Sequence, residues 1–497
     1  MLNNHNDDII SRFFKVTAAF WSGAAKYQIF IILAAMALLA IMPLFITKLS
    51  DATNVVLNIT IFCAAAVAGF LLLRLKGSQM AAFTFAAALL LRISLVFVLE
   101  NSTPFMLDDV RVRTSPWIRH YDTVLFDADE FFYVYQGQRY SDMTVGEFVN
   151  SPEFKDHANR AGFLVSRLFK LFGDEFIWLR LVGVFLGALA AAIVCLTAQE
   201  FFSKNTSTVV SLLSALAPQT AFYSVRFLKE IWIIFAVSLI AFGFTMIIRN
   251  KKLFWAALSI ATATIMLAWF RFEYSLLFIA AVPIAICFRH KSNPAGKTVA
   301  VLSLILLGMI IFFYQFNQLT HKAESLFDKY TLAERGQGGR LETVRAIDTI
   351  HKSRGPLRLL NIPFALLNPP PKNLHLIYTA ENKLYDLVQK ADIYQWWLPL
   401  PFLIIGTCMI ITRRMEFLAF LLPYIVVIII SALLLGGLQG GVLRYRDSLA
   451  PIAFIIIGAG IEAFIIQPKG WKNRIIIAVY AVFVAYAYLY FRLFIFT

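Results

Sequence analysis

Across 497 residues this chain is 59% hydrophobic and only 15% charged, with a mean hydropathy of +0.71. Soluble globular domains carry roughly 25% charged residues, so that class is excluded and a polytopic membrane protein is expected. The net charge of +15 does not point to nucleic acid, because many of the Lys and Arg fall in short loops between apolar runs. In such loops they set topology and meet anionic lipid headgroups. The four cysteines (Cys63, Cys195, Cys287, Cys408) lie inside the apolar runs and are too scattered for a metal motif or a disulfide framework.

In chain order, residues 1–27 form a cytoplasmic interfacial segment, with Phe13, Phe14, Phe20 and Trp21 set among Arg12, Lys15 and Lys26. A hydrocarbon core of ~30 Å needs about 20 apolar residues per crossing. On that basis 28–100 holds three spans, near 28–47, 54–73 and 80–99. A polar loop follows over 101–176. The segment 177–316 holds six more spans, near 177–198, 207–223, 229–248, 253–270, 274–288 and 297–316, of which 207–223 and 274–288 are short. A second large loop covers 317–395, and 396–497 holds the last four, near 396–412, 416–436, 448–466 and 474–495. The expected fold is therefore all-α and polytopic, with about 13 transmembrane helices and two large extracytoplasmic loops bearing interfacial helices.

Orientation follows from the basic loops. With the N-terminus inside, "RLKGSQ", "RNKK", "RHKSNPAGK", "TRRME" and "PKGWKNR" all fall in the cytoplasm. Both large loops then face out. In the first, "SPEF" (151–154) reads as a helix start with Ser151 as cap and Pro152 at the first helical position. In the second, "GPLRLLNIPFALLNPPPKN" is too short and proline-rich to span and is expected to lie at the interface.

Three external turns break the positive-inside pattern at one face. "YSVRFLKEIW" carries Arg226, Lys229 and Glu230; "WFRFEY" carries Arg271 and Glu273; "GGLQGGVLRYRDSLAP" carries Arg444, Arg446 and Asp447. Charge in short turns between apolar helices is costly unless it meets water, lipid phosphate or other charge. Arg92, in the outer half of the third span, is the ionisable residue read deepest in the bilayer. Ion-coupled transporters keep carboxylates or histidines near the midplane, so chemistry at the outer surface fits better than a path through the membrane.

The first external loop contains "DADEFFYVYQGQRY" (127–140), which sets Asp127, Asp129 and Glu130 against Phe131, Phe132, Tyr133 and Tyr135. A carboxylate held near apolar groups has a raised pKa, which suits a general base. Cationic side chains facing it (Arg226, Lys229, Arg271, Arg444 and Arg446) can hold a phosphate and stabilise a leaving group. Tyr133 and Trp117 offer faces for packing on a sugar ring.

These segments resemble the GT-C glycosyltransferases, especially the protein O-mannosyltransferase and lipid A aminoarabinose transferase branch. "DEFFY" (129–133) is similar to the family's first-loop Asp-Glu-x-x-Tyr, and "LFGDEFIWLRLVGVFLGAL" (171–189), with Arg180, resembles its helix after that loop. "SVRFLKEIWIIFAVSL" and "GGVLRYRDSLAPI" are similar to its later external turns. The resemblance covers roughly residues 80–460 and departs in having two spans before the family's usual first helix. "DAD" (127–129) leaves open whether Asp127 or Asp129 takes the family's catalytic place. The resemblance implies a polyprenyl-phosphate sugar donor, a glycan, lipid or protein acceptor, no nucleotide, and usually no structural cofactor, with a divalent metal left open. It implies Asp129 or Asp127 as base, with Glu130 beside it, arginines holding the donor phosphate, and Tyr133 and Arg180 at the substrate. Membrane lipids are the expected surroundings, and the expected location is a bacterial inner membrane with the site facing the periplasm or exterior. Two other readings stay open: an O-antigen ligase or polymerase acting on lipid-linked glycans, and a lipid-linked oligosaccharide flippase or transporter.

Overall fold

The computed structural model describes residues 31–35, 37, 52–75, 78–100, 128–173, 176–289, 388, 391–392, 395–396, 398–435 and 446–466. Among these residues every regular element is helical. The helices are α1 (Ala52–Leu75), α2 (Gln79–Glu100), α3 (Ala128–Arg139), α4 (Val145–Val149), α5 (His157–Phe172), α6 (Phe176–Phe201) and α7 (Lys204–Leu216). They continue with α8 (Pro218–Val225), α9 (Lys229–Ile248), α10 (Leu253–Phe270), α11 (Phe272–Arg289), α12 (Leu400–Thr412), α13 (Leu418–Leu435) and α14 (Ala450–Ile466). Five of them, α1, α2, α6, α9 and α10, are long and apolar enough to cross a membrane. The pair α7 and α8, bent by 41°, makes a sixth if taken as one span, and α11 to α14 contain shorter apolar stretches. The N-terminal interfacial segment, the spans expected near 297–316 and 474–495, and most of the second loop lie outside the described residues.

The bundle has two ends, defined by contacts between helix termini. At one end Ser78 donates to Gln199 (2.7 Å) and Lys251 pairs with Glu200 (2.5 Å). There Glu462 accepts from the backbone and hydroxyl of Ser203 and from Thr206, receiving the N-terminus of α7. A carboxylate there satisfies orphan N–H groups and opposes the positive end of the helix dipole. The Arg249 guanidinium lies over the Phe201 ring and Arg414 over Phe417, and those two rings pack at 4.6 Å. This end carries the loops "RNKK" and "TRRME". The opposite end carries α3 to α5, the 226–229 turn, the 270–272 turn and the start of α14.

The α7–α8 pair is broken, and the break has a cause. α7 ends at Leu216 ahead of Pro218, which has no N–H for the Ser214 carbonyl, and the last four carbonyls of that helix, Leu213 to Leu216, have no helical donors. Two side chains from elsewhere replace them. Arg92, fully buried in α2, donates Nη1 to the Ala215 carbonyl (3.0 Å) and Nε to Ser224 (3.3 Å). Gln395 donates to the Leu213 carbonyl (3.2 Å). An orphaned buried carbonyl costs about 1–3 kcal/mol, so the pair stabilises a bend that apolar neighbours would not. The approach of α8 to α6 depends on Gly183 and Gly187, where an added Cβ would lie 2.2 Å from the Ser224 carbonyl oxygen and 2.2 Å from its hydroxyl.

In the first loop, α3 and α5 pack as a pair. Thr144 and Glu147 form a reciprocal capping box at α4. The helix start expected at Ser151 is a single 3-10 turn over Pro152–Lys155, in which Ser151 makes no side-chain cap bond. The amphipathic helix proper begins at His157, with Asp156 accepting from Ala158 N–H (2.9 Å). A Cβ at Gly162 of α5 would sit 2.3 Å from the Gln136 Cβ of α3. Gly162→Ala is therefore expected to push α3 away and lose about 1–3 kcal/mol. Gly146→Ala, with nothing within 4 Å of the new Cβ in α4, should not lower the melting temperature. Thermal unfolding of the two purified variants checks this, and equal shifts would contradict the packing of α3 on α5.

Candidate functional site

The acidic motif opens α3. Asp129 and Glu130 fall within its first turn, four and three residues before Tyr133. Asp127 and Arg444 lie outside the described residues. Tyr133 is buried and faces a small cavity that it shares with Lys229, Phe227, Trp232, Phe270 and Val165. Its volume of about 10 Å³ holds a single water and no sugar ring. Three of the sequence-predicted segments thus meet at one point: the acidic loop through Tyr133, the 226–230 turn through Lys229, and the 269–274 turn through Phe270.

The 226–230 turn is strained and costly. Phe227 has φ 51°, a left-handed conformation that costs a non-glycine residue roughly 1–2 kcal/mol. Arg226, Lys229 and Glu230 are 4%, 7% and 1% exposed, so three charged groups are almost wholly withdrawn from water. Arg226 caps α8 and lies 4.8 Å over the Phe222 ring, where a cation suits the negative end of the helix. Lys229 stands in the first turn of α9, the positive end, with Glu230 beside it. Strain and buried charge that the surrounding fold must offset are features that gather at functional sites.

The other charged side chains singled out in the sequence lie at this end of the bundle. Arg271 pairs with Glu273 at 3.7 Å, both partly exposed. Glu273 also acts on Arg160 of α5, whose guanidinium burial lowers from its usual range while Glu273 and Asp156 pull it back. Arg180, fully buried near the start of α6, lies 5.1 Å over the Phe176 ring and does not line the cavity. Arg446 is also fully buried: its Nη2 is 2.7 Å from both Asp392 and Asp447, and it lies 4.4 Å over Trp396. Two carboxylates already hold this guanidinium, so it is a structural centre in this arrangement rather than an open phosphate clamp. Tyr223 donates to Asp447 (3.3 Å) and so links Arg446 to the 226–230 turn.

Burial raises the Asp447 carboxyl to about 7 and raises Asp392 as well, with Arg446 pulling both back down. Sequence reasoning passed over Asp392, in a loop with no motif, and read Asp447 only as an adjunct of the basic turn. Among the described residues no group of three or more His, Cys, Asp or Glu side chains could hold a metal ion. Comparison with known proteins finds no matching family, no matching curated protein and no matching solved structure.

The loop pair is fastened to this end by Trp269, at the last turn of α10. Its indole donates to the Arg160 carbonyl (3.2 Å), Arg160 donates to the Ala268 carbonyl (3.3 Å), and the ring packs among Phe148, Phe154 and Phe163. Trp269→Ala should cost about 2 kcal/mol, below the value for a fully buried ring because the indole is only half-buried. It should also speed proteolysis between 141 and 156. Trp255→Ala, 48% exposed at the other end, should change neither. Equal cleavage rates in the two variants would refute the docking role.

Proposed function

We propose that the chain is an integral-membrane glycosyltransferase that moves a sugar from a polyprenyl-phosphate donor to a glycan, lipid or protein acceptor. The reaction takes place at the extracytoplasmic face of a bacterial inner membrane. The supporting observation is the seating of the acidic helix on the charged turn: Tyr133 of α3 shares a cavity with Lys229, and Asp129 and Glu130 stand one turn along the same helix. This reading takes the chain as a multi-pass protein of about 13 crossings with its N-terminus inside.

In this reading Asp129 or Asp127 is the base toward the acceptor hydroxyl, and the supporting feature is its place in sequence beside Phe131, Phe132 and Tyr133, since an apolar setting raises a carboxyl toward the range a base needs. The acceptor proton passes to that carboxylate as the new glycosidic bond forms and the bond from sugar carbon to phosphate oxygen breaks. Lys229, Arg226 and Arg271 balance the charge that collects on the leaving polyprenyl phosphate. The cavity beside Tyr133 has room for no more than a water, so the sugar would bind outside it, toward the N-terminal end of α3. Transport is the second reading, and the broken span of α7 and α8 speaks for it, since discontinuous helices frame many transport sites. Arg92 at that break is occupied with the Ala215 carbonyl and Ser224, a structural use that weakens the transport reading.

In a deletion strain complemented with variants, Asp129→Asn or Asp127→Asn should lower transfer by about 10²–10⁴-fold if that carboxylate is the base. One polyprenyl-phosphate sugar should then accumulate and one sugar should vanish from the surface glycan, both read by mass spectrometry. Lys229→Met should weaken donor binding more than turnover. Wild-type glycolipids in the deletion itself would end the transferase reading and turn the work to transport.

A further inference from the structure

We propose that Arg446, Asp392 and Asp447 form a proton-binding site that latches the end of the second loop onto the broken span. This inference is independent of the glycosyltransferase reading. The cluster holds one guanidinium and two carboxylates, a balance of +1 − 2 = −1 if both acids are ionised, with Arg446, Asp392 and Asp447 at 0%, 2% and 2% exposure. A buried net charge of that kind is strongly disfavoured, and uptake of one proton removes it.

The geometry chooses where the proton sits. Asp447 is well supported as an anion: its Oδ1 receives Nε (2.8 Å) and Nη2 (2.7 Å) of Arg446, and its Oδ2 receives the Tyr223 hydroxyl (3.3 Å). Asp392 has the Arg446 Nη2 on its Oδ2 (2.7 Å) and a bond from the Trp396 side chain, but its buried Oδ1 is without a hydrogen-bond partner, whereas both oxygens of Asp447 are engaged. The proton therefore belongs on Oδ1 of Asp392. The groups acting on the two carboxyls are Arg446, Tyr223, Trp396 and each other. Tyr424 of α13, whose buried hydroxyl is also without a hydrogen-bond partner, lies within electrostatic range of Arg446 and Asp447.

The latch follows from what shares a segment with Asp392. Three residues on, Gln395 caps the Leu213 carbonyl at the break between α7 and α8, and Trp396 lies between Arg446 and the Phe454 ring. Loss of the proton to water leaves two anions on one guanidinium. The less supported one, Asp392, is then driven outward, taking Gln395 off the kink.

The sign is fixed by linkage: a carboxyl raised in the fold binds its proton more tightly folded than unfolded, so stability present at low pH is lost as pH rises. The full-length protein in lipid nanodiscs should lose several degrees of melting temperature as pH rises from the acid to the alkaline side of neutrality. Hydrogen exchange at 388–396, corrected for its intrinsic pH dependence, should rise at least tenfold over the same range. Asp392→Asn, which keeps the shape of the protonated acid, should abolish both changes and match the wild type at the acid end. Asp447→Asn should lower stability at the acid end, where it removes the anion that faces Arg446 while Asp392 is protonated. Wild-type exchange at 388–396 that is flat across this range overturns the proposal without any variant. An undiminished pH step in Asp392→Asn overturns it as well.

Discussion

Away from water, a polar group must be met by another part of the same chain, and this requirement organises the whole bundle. It is clearest at Arg92. A guanidinium in an apolar helix costs about 2.5–3.5 kcal/mol at mid-membrane by insertion scales. Here it is matched to a carbonyl in the last turn of α7, which has no donor of its own where that helix ends. Each defect answers the other, and Gln395 answers a second carbonyl of the same break. Because Gln395 comes from the end of the second loop, the kink also ties that loop to the bundle.

The same requirement sorts charge between the two ends. At the end bearing Glu462 and Glu200, charges cap helices, form exposed pairs or stack on Phe201 and Phe417, so they act as closure and trim. At the other end Arg226, Lys229, Glu230, Arg446 and Asp447 are withdrawn from water and Phe227 is strained. That arrangement lowers stability compared with apolar turns, which is the reason to place function there rather than at the more basic but better solvated end. Within that end the roles divide. The 226–230 turn and Tyr133 border a cavity, whereas Arg446 and its two carboxylates make a filled centre behind it.

Much of this was legible in the sequence, and the exceptions have physical reasons. Uniformly apolar runs such as 229–248 and 253–270 match α9 and α10 residue for residue, because a long apolar run has one way to satisfy its backbone. The gathering of charged turns at one end was readable from the alternation of spans. The break within 207–223 was read over, although Pro218 marks it, because hydropathy averages across a kink. Arg446 was read as open because its nearest acid in sequence, Asp447, was taken as a neighbour rather than a ligand, and Asp392 is 54 positions away. Trp269 and Gly162 carry no chemical motif. Their importance lies in how closely two helices approach, which a single sequence does not display.

The account rests on the charged, strained end facing out of the cell, and sidedness is the most direct thing to measure. With the four native cysteines replaced, single cysteines would be placed at Asp142, exposed in the first loop, and at Lys252, exposed at the opposite end. Intact cells or spheroplasts would then be treated with a membrane-impermeant thiol reagent. The account predicts labelling at 142 without permeabilisation and at 252 only after it. Labelling of both positions from the same side, or the reverse pattern, would contradict it.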